Sequence, residues 1–114
     1  MKRALVFLAA LAIPAAAIAH HGWSSYETEN VLEVDGRFSS VSWANPHGTA
    51  TMAWRGGTWR VVLAPVARME ARGLTPAMIA PGKPVRLIGY ARKDGTREMR
   101  IERVIAEGKT VELR

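Results

Sequence analysis

Leu32-Glu33-Val34-Asp35-Gly36-Arg37-Phe38-Ser39-Ser40-Val41-Ser42-Trp43 is the stretch that decides the fold. Leu32, Val34 and Phe38 share one parity, with small or charged residues between them, and Val41 and Trp43 continue the alternation on the other parity after Ser39-Ser40. Successive side chains of a strand point to opposite faces, so a switch of parity inside one alternation implies an extra residue or a bend. The sequence therefore predicts one long strand carrying a bulge, or a bend near Gly36. Asn45-Pro46-His47-Gly48 ends it.

Outward from this stretch the dominant period remains two. Ala50, Met52 and Trp54 alternate with polar residues, Gly56-Gly57 supplies a hairpin turn, and Trp59, Val61 and Leu63 alternate again, which predicts an antiparallel pair. Pro65 suits the first turn of a short helix running to about Arg72, with Val66, Met69 and Leu74 on its buried side and Gly73 at its C-terminal end. Thr75-Pro76 starts a short turn that Pro81-Gly82 ends. A strand is expected over residues 85–92, Asp94-Gly95 signals a hairpin, and Met99, Ile101, Val104 and Ile105 mark the next strand. Glu107-Gly108-Lys109 turns the chain into a last short strand over residues 110–113. Three strands, a short helix, then two or three strands is the order of an all-β, OB-like, five- to six-stranded antiparallel Greek-key barrel with one short helix. A six-stranded open sandwich would give nearly the same pattern.

Before this domain, expected over residues 31–114, lies an N-terminal segment at residues 20–30, and before that an export signal. Lys2 and Arg3 form a basic start, Ala4 to Ile13 an apolar run, and Ala17-Ile18-Ala19 a small-x-small cleavage site before His20. The run is too short for a spanning helix of about 20 residues, so no transmembrane span is expected in the mature chain. Of the 114 residues, 95 would remain, and the formal charge of +6 would fall to +4 with the loss of Lys2 and Arg3. A chain of this size excludes two-domain architectures and the Rossmann and TIM-barrel enzymes. With no cysteine there are no disulfides, thiolate metal sites or thiol nucleophiles. The expected location is the periplasm, or outside the cell as a secreted product, where nucleic acid is not an expected partner.

All three histidines fall in two places, His20-His21 and His47. Cleavage after Ala19 would give His20 a free amine, with a reference pKa of about 7.7–8.0, beside an imidazole of about 6.5. Amine and ring can chelate one metal, His21 adds another nitrogen, and His47 could complete the set. Nitrogen-rich tetragonal sites favour Cu(II), so copper is the expected cofactor if there is one. The bland alternative is a polar N-terminus and a turn histidine that bonds only to backbone. A weaker constellation is His47, Met52 and Trp54, whose soft ligands and indole suit Cu(I). It loosely resembles the CusF-type periplasmic copper chaperones, although Met52 and Trp54 equally suit the inward face of a strand.

Trp43, Trp54 and Trp59 with Arg55 and Arg60 form a candidate binding face for an envelope protein, a glycan or a lipid headgroup, a non-metal alternative function. Arg37, Arg92, Lys93, Arg97 and Arg100 would add positive charge to it, and Trp23 could staple the N-terminal segment to the barrel. Enzymatic constellations are poorly supported. The serines lie in no Gly-x-Ser-x-Gly elbow, and phosphate loops and His-Glu-x-x-His are absent.

Ala19-His20-His21-Gly22-Trp23, the tract Val41-Ser42-Trp43-Ala44-Asn45-Pro46-His47, the connection from Leu74-Thr75 to Pro81-Gly82, and residues 85–95 together resemble the small exported bacterial proteins grouped as DUF6152. The resemblance covers nearly the whole mature chain and implies export and fold more than function, because the family carries no assigned activity. Gly48 departs from it, standing where an aromatic or β-branched residue often follows the Asn-Pro-His.

Overall fold

The computed structural model describes residues 22–114. The expected signal segment, residues 1–19, and the pair His20 and His21 lie outside the described residues. Seven strands and one α-helix follow a 3-10 turn at Trp23–Ser25: β1 (Leu32–Arg37), β2 (Ser40–Ser42), β3 (Thr49–Trp54), β4 (Gly57–Val62), α1 (Val66–Ala71), a second 3-10 turn (Pro76–Ile79), β5 (Pro84–Ala91), β6 (Glu98–Ala106) and β7 (Lys109–Glu112).

The strands form one sheet in the order β1-β5-β6-β4-β3-β2, with β7 paired to β6. Because β1 and β2 are two halves of the bent first strand, the two ends of this path are joined by the chain itself, and the sheet curls into a small barrel. The break falls at Phe38-Ser39, two residues beyond the expected bend. Gly36 stays in register opposite Val85. After Phe38 the strand changes partner, from β5 to β3, and Ser39 donates its backbone N–H to the Thr51 carbonyl at 2.8 Å. The outcome is the OB-like barrel with two differences from expectation: seven strands instead of five or six, and a parallel β4–β6 pair, Arg60 to Val62 against Glu98 to Arg100. The parallel pair follows from the two reversals between the strands: β5 runs opposite to β4, and the hairpin at Asp94-Gly95 turns the chain again so that β6 runs beside β4 in the same direction.

The helix ends as its sequence requires. Pro65 stands at its N-cap and Gly73, with φ +86°, takes the left-handed position after it. The β3–β4 turn is Arg55-Gly56, both at positive φ, with Trp54 paired to Gly57. That is one residue earlier than the Gly56-Gly57 turn expected, and Gly57 begins β4 instead. The inward residues Phe38, Met52, Leu63, Met69, Leu74, Leu87, Met99, Ile101 and Leu113 are all fully buried, each worth roughly 1.5–3 kcal/mol of apolar burial. No helix among the described residues is long and apolar enough to cross a membrane.

Candidate site at the Arg100 corner

His47 is held by its neighbours. The Gly48 N–H donates to the Ala64 carbonyl at 2.8 Å and the Leu63 N–H to the Gly48 carbonyl at 2.9 Å, which fixes the turn to the end of β4. A Cβ on Gly48 would lie 2.6 Å from the Met69 methyl, so in this chain the thioether of α1 fills the space beside His47 that a larger residue would take. The imidazole is half-buried. Burial, with Arg100 and Arg68 nearby, lowers its pKa from the ordinary value, leaving the ring neutral at neutral pH.

Arg100 reaches the same corner from β6. It stands between Tyr90 on β5 and Val62 on β4, with Met99 and Ile101 on either side facing the core. Its guanidinium carbon lies 4.5 Å from the Trp23 ring centroid, and that of Arg114 lies 4.6 Å from it. The Trp23 ring also packs edge-on to Tyr90, with centroids 6.0 Å apart. Trp23 therefore staples the N-terminal segment to the outer face of β5 and β6, assisted by backbone bonds from Glu27 to Ala91 and from Lys93 to Ser25. A Cβ at Gly22 would sit 3.3 Å from Arg100 Nη1, so the chain enters the described structure directly against this guanidinium.

The corner is short of negative charge. The Arg100 Nε is buried with no hydrogen-bond partner among the described residues, an expensive condition for a cation. Burial lowers the Arg100 pKa; Tyr26 opposes this, and the neighbouring Arg68 and Arg114 add to it. Arg68 donates to the Leu113 carbonyl at 3.0 Å and has no carboxylate within ion-pair distance among the described residues. Glu102 is engaged here, with Arg114 at 3.3 Å and the Tyr90 hydroxyl at 2.8 Å. That hydrogen bond, with burial, raises the Tyr90 pKa.

A family model described as a family of unknown function, DUF6152, matches residues 8–100. The chain belongs to the DUF6152 family. The matched stretch runs from the expected signal through the histidine pair and the Asn-Pro-His turn to Arg100, and leaves β7 and Arg114 outside it. No curated protein matches the chain.

The other sequence candidates lie elsewhere. Met52 is fully buried and, four residues beyond Gly48 along β3, is about 13 Å from it by strand rise. Trp54 and Trp59 share the core-facing side of the β3–β4 hairpin with Met52 and pack against the core, their rings 5.0 Å apart. Arg55 covers Trp54 at 4.1 Å, and Arg60 pairs with Glu98 at 3.5 Å. Trp43 stands apart from that hairpin, its indole making a long 3.5 Å contact to Glu70 of α1. Among the described residues no three of His, Cys, Asp and Glu are grouped to hold a metal. Arg68 and Arg114 escaped sequence reading. Arg100 entered it only as one basic residue among several, since nothing in a strand pattern reveals which outward arginine will be covered by another segment.

Proposed function

We propose that the protein is an exported copper-binding protein whose site combines the mature terminus, His20 and His21, with His47. The observation that carries this reading is the position of Gly22: it packs on Arg100, whose charge also acts on His47. Gly22 directly follows the histidine pair in the chain, and this shared neighbour supports a site in which the pair and His47 act together. A terminal amine, its own imidazole and the His47 imidazole would make the nitrogen-rich set that Cu(II) prefers. Arginines beside the site penalise a bare dication and favour a metal ion that carries an anion with it.

The test uses protein expressed with its own leader, its N-terminal mass measured, stripped with chelator and titrated with Cu(II). One equivalent should bind with an EPR spectrum of nitrogen ligation. Binding should weaken at least tenfold in His47→Ala and in protein whose terminus is extended by one residue, which removes the free amine. Wild-type affinity in both would overturn the shared site.

A further inference from the structure

The shortage of negative charge around Arg100 has a chemical meaning separate from copper. Two guanidinium groups, Arg100 and Arg114, share one indole, and a third, Arg68, reaches the same corner from α1. Like charges gathered in this way repel, and a neighbouring carboxylate ordinarily relieves them. Here Glu102 is committed to Arg114 and to the Tyr90 hydroxyl, and the buried Arg100 Nε is left without an acceptor among the described residues. An arginine in this state offers a planar fork to an oxyanion.

We propose that this corner is a binding site for a doubly charged oxyanion of the phosphate class, gripped by Arg100 and Arg68 with Arg114 at its rim. Two cations without carboxylate partners among the described residues match a dianion better than a monoanion. His47, at the same corner, adds a ring nitrogen that can take or give a hydrogen bond. The Trp23 face holds Arg100 in place against the exposed Arg114. The site belongs to the barrel wall, and it neither requires a bound metal nor uses the histidine pair.

The experiment is a calorimetric titration of metal-free protein with inorganic phosphate, at an ionic strength held constant with chloride. Saturable binding of one equivalent is expected, at least tenfold tighter than acetate. Affinity should fall at least tenfold in Arg100→Met and in Arg68→Met, while Arg55→Met, at the far hairpin, keeps it. Circular dichroism establishes that each variant is folded, and Arg68, exposed on α1, serves if Arg100→Met does not fold. A second arm offers the same group as phosphatidic acid in otherwise neutral vesicles. Saturation by free phosphate or by the lipid supports the site and identifies the carrier; saturation by neither, or wild-type affinity in folded arginine variants, overturns it. Failure here leaves the copper site standing, and failure of the copper titration leaves this one.

Discussion

Tyr26 ties the N-terminal segment to the barrel by its ring and its hydroxyl. It is buried, and its hydroxyl donates to Glu98 at 2.7 Å. Burial, reinforced by Glu98, pushes its pKa up to about 12 from 10.0. A raised folded pKa stabilises the protein below the unfolded value, and that stability is lost as pH rises through the folded one. Between pH 10 and 12 the wild type should therefore lose roughly 2–3 kcal/mol to this residue. Tyr26→Phe should be less stable at pH 9 by about 1 kcal/mol, the value of the lost hydrogen bond, and should lack this alkaline loss. Urea midpoints across the pH range measure both, and parallel curves would refute the assignment. Single residues were legible in the sequence where parity decides them. Met52, Trp54 and Trp59 share one parity-defined face, and they line or cap the core as the bland reading of Met52 and Trp54 had it. Arg100 was not, because its burial comes from Gly22 and Trp23, distant in sequence and packed over it.

Among the elements, β6 carries the irregularity that shapes the corner. Its register to β5 shifts between Ile88 and Gly89, which pair with Arg103 and Ile101 respectively, so Glu102 is the extra residue. The carbonyl freed by this bulge accepts the Leu113 N–H at 2.7 Å. Gly89 permits the close approach, since a Cβ there would lie 2.3 Å from the Arg100 carbonyl oxygen. Backbone cannot step aside as a flexible side chain can. Gly89→Ala should cost about 3 kcal/mol in urea denaturation, whereas an effect below 0.5 kcal/mol would show that the bulge relaxes freely. Most elements could be read from alternation and turn chemistry: the bent first strand, the helix after Pro65, and the turns at Asp94-Gly95 and Glu107-Gly108. The bulge could not, because Glu102 and Arg103 carry no pattern that marks one of them as surplus until β5 lies alongside.

For the molecule as a whole, the decisive contact is the parallel seam between β4 and β6. It joins Val61 to Met99, residues separated by a helix, a turn and an entire strand. Non-local pairing of this kind slows folding, because loop closure must be paid before the contact rewards it. Refolding followed by tryptophan fluorescence should occupy milliseconds to seconds; a microsecond phase carrying the full amplitude would contradict the topology. Sequence could give the order of strands but not this seam, which depends on where the β5–β6 hairpin is laid against β4.

The seam also sets a schedule. A chain released from its N-terminus onward can form the β2–β3–β4 ribbon early, yet the free edge of β4 has no strand to pair with until β6 follows. Up to that moment Met52, Val61 and Leu63 face solvent, and the half-made barrel presents a sticky, unfinished sheet. A holding partner that kept this stretch covered would bind the nascent form and lose its grip when the last strands close.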